Sequence, residues 1–393
     1  MRILFVAFQD SIHTARWISQ LVGQGWDLHL FPSTLQGGPH PLLRSVDIKR
    51  HYPAILRLPL HALRKAADVQ DNRTLKRWFP KEFHPQTAYW LSRVIRQVRP
   101  DIIHSLEFQH AGYLMLEARE RLHGNLPPWI AGNWGSDIYL FGKLSSHTTR
   151  VRAILDACDY YTCECERDVR LARDMGLKGI PLPVLPNAGG FDLELAGRLR
   201  APGPTSERRT IVLKGYQHWA GRALVGLNSI ELCAAELRGY RVVIPLASPE
   251  VQLAAELIAQ RTGLSIEVLP RCAYEEMLRL FGSARIYLGL SISDAISQSM
   301  LEAIVMGAFP IQSSTACADE WVVDSLNGMI VPPEDPRAVA AALRRALTDD
   351  ALVDRAAEHN SQLVRDRLDT KVIRPKAMAL YERVYRETHG AAG

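Results

Sequence analysis

Two spacings of apolar residues alternate along most of the chain. RILFVAF, from Arg2, is a short continuous apolar run and reads as a buried strand. SIHTARWISQLVGQG, from Ser11, then spaces its apolar residues three and four apart and stops at glycine, which predicts an amphipathic helix. WDLHLFP is the next strand, DIIHSLE after Pro100 another, HAGYLMLEARERLHG a helix, and PWIAGNWG a strand ending in glycine. Residues 151–176 add helix, strand and helix, and VLPNAGG closes the first half. Strand and helix alternating at this pace predict parallel βαβ units.

The stretch RAPGPTSERR, from Arg200, concentrates Pro, Gly, Ser and charge, and reads as a linker. The alternation then restarts. TIVLKG, YRVVIPLA, LSIEVLP, ARIYLGLSIS, AFPIQSS and MIVPP are strands, with helices predicted in AGRALVGLNSIELCAAEL, VQLAAELIAQRTG, YEEMLRLFGSA, QSMLEAIVMG and DPRAVAAALRRALTDD. RPKAMALYERVYRE, near the end, is a long amphipathic helix. The expected fold is therefore α/β, with two doubly wound Rossmann-like domains in tandem, residues 1–198 and 199–372, facing a cleft. In such sheets ligands sit outside the carboxyl ends of the strands, so residues that follow strands carry the candidate chemistry.

Composition narrows the class. The 393 residues are 47% apolar and 23% charged, ordinary for a soluble globular chain of two domains. No apolar run approaches the ~20 residues of a membrane span, and the apolar start is too short for a signal peptide, so the expected compartment is the cytoplasm. Cysteines at 158, 163, 165, 233, 272 and 317 contain no Cys-x-x-Cys pair, and the 13 histidines form no ligand spacing. They predict neither a disulfide framework nor a metal site, only small buried hydrophobes.

Asp294 directly follows the strand IYLGLSIS; Ser297 and Gln298 begin the next helix, and Glu302 lies about one turn further. A helix start offers unpaired N–H groups and roughly half a positive charge, which suits a diphosphate. Glu302 leans back toward that start and is placed to bind vicinal hydroxyls, while Asp294 is placed for sugar hydroxyls. Acids near a helix start are also favoured by the macrodipole alone. Lys214 and Gly215 end the strand TIVLKG and Arg222 opens the following helix, which sets two cations at the same edge to neutralise a diphosphate; a solvated Lys and a helix-surface Arg are the plainer reading. In the first half, GNWGSDI brings glycines for close backbone approach, Trp134 as a face for a sugar ring, and Gly135, Ser136 and Asp137 at a turn, where a capping Ser or Asp serves equally well. His104 and Glu107 follow or end DIIHSLE, and His13 and Thr14 follow the first strand. A buried, satisfied histidine and an ordinary capped helix are the structural alternatives.

These stretches together resemble glycosyltransferase family 4, the retaining GT-B nucleotide-sugar transferases. DSIHTARWISQLVGQGWDLHLF is similar to the family's opening helix and second strand, RPDIIHSLEFQHAGY and GNWGSDI to its acceptor-side loops, LPNAGGFDLE to its interdomain segment, and PIQSSTACADEWVVDSLNGMIVPPEDP to the region closing its second domain. Its paired-acid motif falls on Asp294 and Glu302. Three positions depart: the first acid is the shorter Asp294, Trp134 stands where many members carry a histidine, and the cations run Lys214 then Arg222.

The resemblance implies a GT-B fold whose C-terminal helix, in 373–393, packs back on the first domain. It implies sugar transfer from a nucleoside-diphosphate-sugar to an acceptor hydroxyl with retention, in cell-surface polysaccharide or glycoconjugate synthesis. By this likeness Asp294, Lys214 and Arg222 carry the chemistry, and Gly215, Ser297, Gln298 and Glu302 hold the nucleotide. His13, Thr14, His104, Glu107, Trp134, Gly135, Ser136 and Asp137 would face substrate. No metal or resident cofactor is implied, the two cations filling that place. A sugar-nucleotide epimerase and a non-catalytic sugar-nucleotide sensor are the alternatives, separated by products formed from donor alone and by binding without turnover. Residues 44–84 interleave Arg and Lys with Ile55, Leu56, Leu58, Leu60 and Leu63, which suits an anionic membrane surface or a lipid-linked acceptor as well as a solvated basic face. No nucleic-acid motif accompanies the charge, which totals +5.

Overall fold

The structure is a computed structural model that describes residues 1–34, 38–51 and 85–390. Contacts divide the chain into two compact units, Met1–Gly189 with Arg374–Gly393, and Gly190–Ile373.

Among the described residues the first unit holds a seven-stranded parallel sheet in the order β3-β2-β1-β4-β5-β6-β7. Its strands are β1 (Arg2–Ala7), β2 (Asp27–Pro32), β3 (Lys49–Arg50), β4 (Ile102–Leu106), β5 (Trp129–Gly132), β6 (Tyr160–Thr162) and β7 (Ile180–Pro181). Alternate residues of a strand face opposite sides. Leu4 and Val6 join Ile103, Trp129 and Tyr161 in a core with helices Pro85–Val98, Tyr113–Arg121 and Ser145–Ala157. Phe5, between them, points the other way, to the C-terminal helix Thr370–His389, where its ring lies 6.2 Å from that of Tyr381. The Tyr381 hydroxyl accepts from Trp17 Nε1 at 2.7 Å and meets His104 Nδ1 at 2.7 Å, which fixes that helix to the first sheet.

The second unit holds a six-stranded parallel sheet among the described residues, ordered β10-β9-β8-β11-β12-β13. Here the strands are β8 (Thr210–Leu213), β9 (Arg241–Pro245), β10 (Ser265–Leu269), β11 (Ala284–Gly289), β12 (Phe309–Ser313) and β13 (Met329–Val331). Ile211, Leu213, Ile286 and Leu288 pack on Leu227 and Ile230 of helix Ala223–Leu232 and on Val339 and Leu343 of helix Pro336–Thr348. Each sheet reverses its strand order once, at β1/β4 and at β8/β11, and such a reversal is where a doubly wound sheet binds ligands.

Helices Pro85–Val98 and Asp350–Arg367 were not expected from the spacing. The stretch 200–209, read as a linker, lies inside the second unit, where Thr205 and Arg208 are buried; the contact division falls earlier, at Gly189–Gly190. All six cysteines are free thiols, and all but the partly buried Cys272 are buried. The basic stretch proposed for a membrane surface falls mostly on 52–84, outside the described residues; no described helix is long and apolar enough to cross a membrane.

Candidate active site

At the β8/β11 reversal two loops are tied by backbone bonds. Arg222 N–H donates to the Leu290 carbonyl at 3.0 Å and Ile292 N–H to that of Ala220 at 2.9 Å. This holds Lys214 and Arg222, which bracket the first loop, in one frame with Asp294 on the second. Lys214 Nζ lies 3.6 Å from Asp294 Oδ2 and 3.4 Å from Ser297 Oγ. Burial alone would push the Lys214 ammonium down, but Asp294, Tyr287 and Tyr216 outweigh it, and its pKa stands above the ordinary value. The site therefore keeps a half-buried ammonium whose charged form is favoured.

Ser297 is the N-cap residue of helix Gln298–Val305 by position, yet its side chain makes no capping bond. Its hydroxyl meets Lys214 and, at 3.3 Å, the buried Tyr287 hydroxyl. A cap side chain would occupy one of the first N–H groups of the helix; here it is turned to the cation. Gln298 Nε2 donates to Glu302 Oε1 at 3.3 Å, so Glu302 reaches back over the first turn as expected from the direction of helical side chains.

Arg222 is held by several acceptors. Its Nη1 donates to the carbonyls of His218, Ala220 and Gly221, at 3.2, 3.4 and 3.0 Å, and its Nε pairs with Glu334 at 3.0 Å. Gly215 leaves no room for a side chain, since a Cβ there would lie 2.6 Å from the Pro245 carbonyl. Beyond it, Tyr216, Leu246, Ala247, Leu269 and Arg271 line a cavity of about 640 Å³ at the ends of β9 and β10.

His218 was missed in the sequence, although it lies between the two cations in the loop GYQHWAGR. Its Nδ1 accepts the N–H groups of Ala220 at 3.1 Å and Gly221 at 3.4 Å, so the neutral ring carries its proton on Nε2. Burial, then Lys214 and Arg222, push its pKa down and favour that neutral form. Tyr216 and Trp219 flank it at 5.7 and 5.4 Å between ring centres, and Trp219 is 56% exposed.

The first unit places acids at the corresponding edge. Glu107, at the end of β4 with φ of +77°, accepts the N–H of His110 at 3.0 Å and of Ala111 at 2.5 Å, and pairs with His110 Nδ1 at 3.3 Å. Asp137 accepts the N–H of Trp134 at 2.8 Å and of Phe108 at 3.1 Å. Burial first, and Glu107 second, push its carboxyl up to about 8 against those two N–H donors. Gly135 precedes it with φ of +83°, a conformation that favours glycine. Asn133, fully buried, receives the Gly135 N–H and donates to Tyr161 and Asp168, each bond 2.9 Å, which fixes the turn from beneath.

His13, Trp134, Phe8 and His110 form one aromatic group. His13 lies 5.6 Å from Trp134, Trp134 6.3 Å from Phe8, and Phe8 4.7 Å from His110. Ser136 opens the short helix that carries Asp137, and Thr14 is fully buried beside His13 on the helix capped by Ser11. His104 does not join them. It is 1% exposed, engaged by Tyr381, and burial lowers its pKa to about 3. Its Nδ1 meets Tyr381 while its Nε2 is buried without a partner, so the geometry places it in the packing between sheet and C-terminal helix, and His110, three residues after Glu107, takes the place at the edge.

Known proteins fit this arrangement. The family model described as glycosyl transferase 4-like matches residues 2–164, and that described as glycosyl transferases group 1 matches residues 247–363. No curated protein sequence matches the chain. Among solved structures, sucrose-phosphate synthase of Thermosynechococcus elongatus has a TM-score of 0.70 at 14% identity, covering 98% of this chain and 100% of that one. HepE of Anabaena, solved in complex with UDP-glucose, has a TM-score of 0.70 at 11% identity, with 98% and 100% covered. A glycosyltransferase from Rickettsia africae has a TM-score of 0.68 at 13% identity, with 98% of each chain covered. At these identities the structural likeness speaks for the fold, and the two family models speak for the class. The chain belongs to the family 4-like, group 1 glycosyltransferases, enzymes of GT-B fold that transfer a sugar from a nucleotide-sugar.

Proposed function

We propose that the protein is a retaining, metal-independent hexosyltransferase whose donor is a nucleoside-diphosphate-sugar and whose acceptor is a sugar or lipid-linked hydroxyl in glycoconjugate or polysaccharide synthesis. The observation that carries this reading is Lys214, a half-buried ammonium 3.4 Å from the hydroxyl of Ser297, which caps helix Gln298–Val305 by position, and 3.6 Å from Asp294. Lys214, Arg222 and the N–H groups of that helix take the diphosphate. The nucleoside lies toward the cavity beyond Gly215, with Glu302 on the ribose hydroxyls. Asp294 holds hydroxyls of the transferred sugar. Glu107, His110, Trp134, Asp137 and His13 hold the acceptor side.

In the reaction the bond from the anomeric carbon to the diphosphate oxygen breaks. The acceptor oxygen bonds to the same face of the sugar, and its proton passes to the departing diphosphate. Negative charge grows on that diphosphate as the bond breaks, so cations fixed beforehand lower the barrier without reorganising. His218 Nε2–H adds a neutral donor beside the two cations.

The test is calorimetry with UDP, GDP and ADP, followed by product analysis with the sugar nucleotide of the base that binds. Transfer with retained anomeric configuration, undiminished in excess EDTA, supports the reading. Rearranged sugar formed from donor alone would assign an epimerase instead, and binding without turnover a sensor.

A further inference from the structure

The end of helix Gln298–Val305 that faces away from Lys214 meets a second cationic feature. Arg208, two residues before β8, is 8% exposed, and its Nη1 donates to the carbonyls of Ala284 and Met306, both at 3.2 Å. Arg200 donates Nη2 to the Val305 carbonyl. The two guanidinium groups thus close the last turn of the helix, about 12 Å along it from the donor end for eight residues at 1.5 Å each. Capping uses only part of each group. The Nε of Arg200 and the Nε of Arg208 are both buried without a partner, and the acid acting on Arg208, Asp354, does so through charge alone.

Both arginines line a cavity of about 390 Å³, with Thr205, Gly307, Ser361 and Arg365. Two acids also line it. Asp354 is taken by Ser206, whose N–H and hydroxyl donate to it at 2.9 and 2.7 Å, and Glu358 is exposed. Gly307, with φ of +77°, adopts a conformation that favours glycine, and a Cβ there would lie 3.5 Å from Arg200 Nε and Arg208 Nη2. A buried and a half-buried guanidinium are thus set together with donors left over. Burial first and Arg200 second pull the Arg208 guanidinium down to about 10, against a smaller opposing pull from Asp354, and a second adjacent anion would reverse that direction.

We propose that this cavity is a second anion site of the donor-binding unit, built for a phosphoryl group, either free phosphate or the phosphate of a small ester such as a sugar phosphate. Guanidinium groups present planar forks that match phosphate oxygens, and Nε is one tooth of that fork. Occupation draws on the same arginines that close helix Gln298–Val305, so the site reports to the helix whose other end opens at Ser297.

The experiment is thermal unfolding and calorimetry of the full chain with inorganic phosphate and, separately, glucose 6-phosphate, against potassium chloride at equal ionic strength. It is run in wild type, Lys214→Ala, Arg208→Met and Ser361→Glu. A saturable rise in Tm is expected in wild type and in Lys214→Ala, with at least fivefold weaker binding in Arg208→Met and Ser361→Glu. Ser361 lies on the partly exposed helix Asp350–Arg367, so Ser361→Glu sets a competing carboxylate in the cavity and decides the question if Arg208→Met does not fold. Tighter binding of the ester identifies an ester as the ligand; equal binding identifies free phosphate. A response lost in Lys214→Ala, or undiminished in Ser361→Glu, overturns the site and leaves the two arginines as helix caps.

Discussion

The two units lay the same kind of sheet and place different groups at its edge, cations in one and carboxyls in the other. After β8 and β11 stands the half-buried Lys214 ammonium, with Arg222 after the same loop. After β4 and β5 the buried groups are carboxyls, Glu107 at 3% exposed and Asp137 at 5%. Both edges use backbone N–H groups, but to different ends. In the first unit they are spent on the acids, four of them on Glu107 and Asp137. In the second the natural cap, Ser297, is turned to lysine and the helix start is left uncapped by its side chain. Strand order therefore decides where a ligand sits, and side chains after the strands decide its charge. The contrast supports the proposed placement of the diphosphate at the second unit and of a neutral, hydroxyl-bearing acceptor at the first.

Removing the cation tests the second half of that contrast most severely. Lys214→Ala should lower kcat by roughly 10²–10³-fold, the cost of removing one preorganised charge-stabilising donor. Arg222→Ala should do less, since several carbonyls and Glu334 already share its guanidinium. The double variant should fall short of additivity if both act on one diphosphate. Wild-type rates in Lys214→Ala would remove the proposed donor site.

Glu302→Ala comes next. A hydrogen bond to a charged group is worth about 1.5–3 kcal/mol, which is roughly 10- to 150-fold in nucleotide affinity. Calorimetry should show that loss for the nucleotide while leaving acceptor binding as it was. Unchanged nucleotide affinity would detach Glu302 from the ribose.

Much of this organisation was legible beforehand, and the failures have physical causes. Strand Ala284–Gly289 is buried throughout and strand Arg2–Ala7 from its second residue on, so their apolar runs stand out. The same continuity hid the fate of His104: every residue of β4 is buried, and no polar alternation tells which face a residue takes. Helix Asp350–Arg367 escaped because only five of its 18 residues are buried, too thin a stripe in DALVDRAAEHNSQLVRDR to mark a period. Composition made 200–209 a linker, yet composition does not see that Arg208 reaches helix carbonyls distant in sequence. His110 and His218 sit beside recognised residues without a motif of their own. Only the fold, by turning each into its loop, gives them partners.

Tyr381→Phe separates the units by stability. The hydroxyl serves Trp17 and His104 together, both buried, and its loss leaves each without that partner. The expected cost is about 1–3 kcal/mol, confined to the first unit. Nucleotide affinity, a property of the second, should be unchanged within twofold. A comparable fall in nucleotide affinity would mean that the two edges are not independent in the way the contrast requires.

The smallest effect is a slope. Asp137 has its carboxyl raised from 3.8 to about 8 by burial and by Glu107. Between those values the folded chain keeps a proton that the unfolded chain has released. Raising the pH therefore favours the unfolded chain, and stability falls across this window and levels off above about pH 8. Asp137→Asn keeps an oxygen to accept the N–H groups of Trp134 and Phe108 but has no proton to lose. Urea unfolding at pH 5, 6, 7 and 8 should show wild type losing about 1 kcal/mol per pH unit relative to the variant. Titrations remote from Asp137 are shared by the two proteins and cancel in that difference. Parallel curves would mean that Asp137 is ionised when folded. The first unit would then hold two adjacent negative charges, a site for a cation and no longer for a neutral hydroxyl.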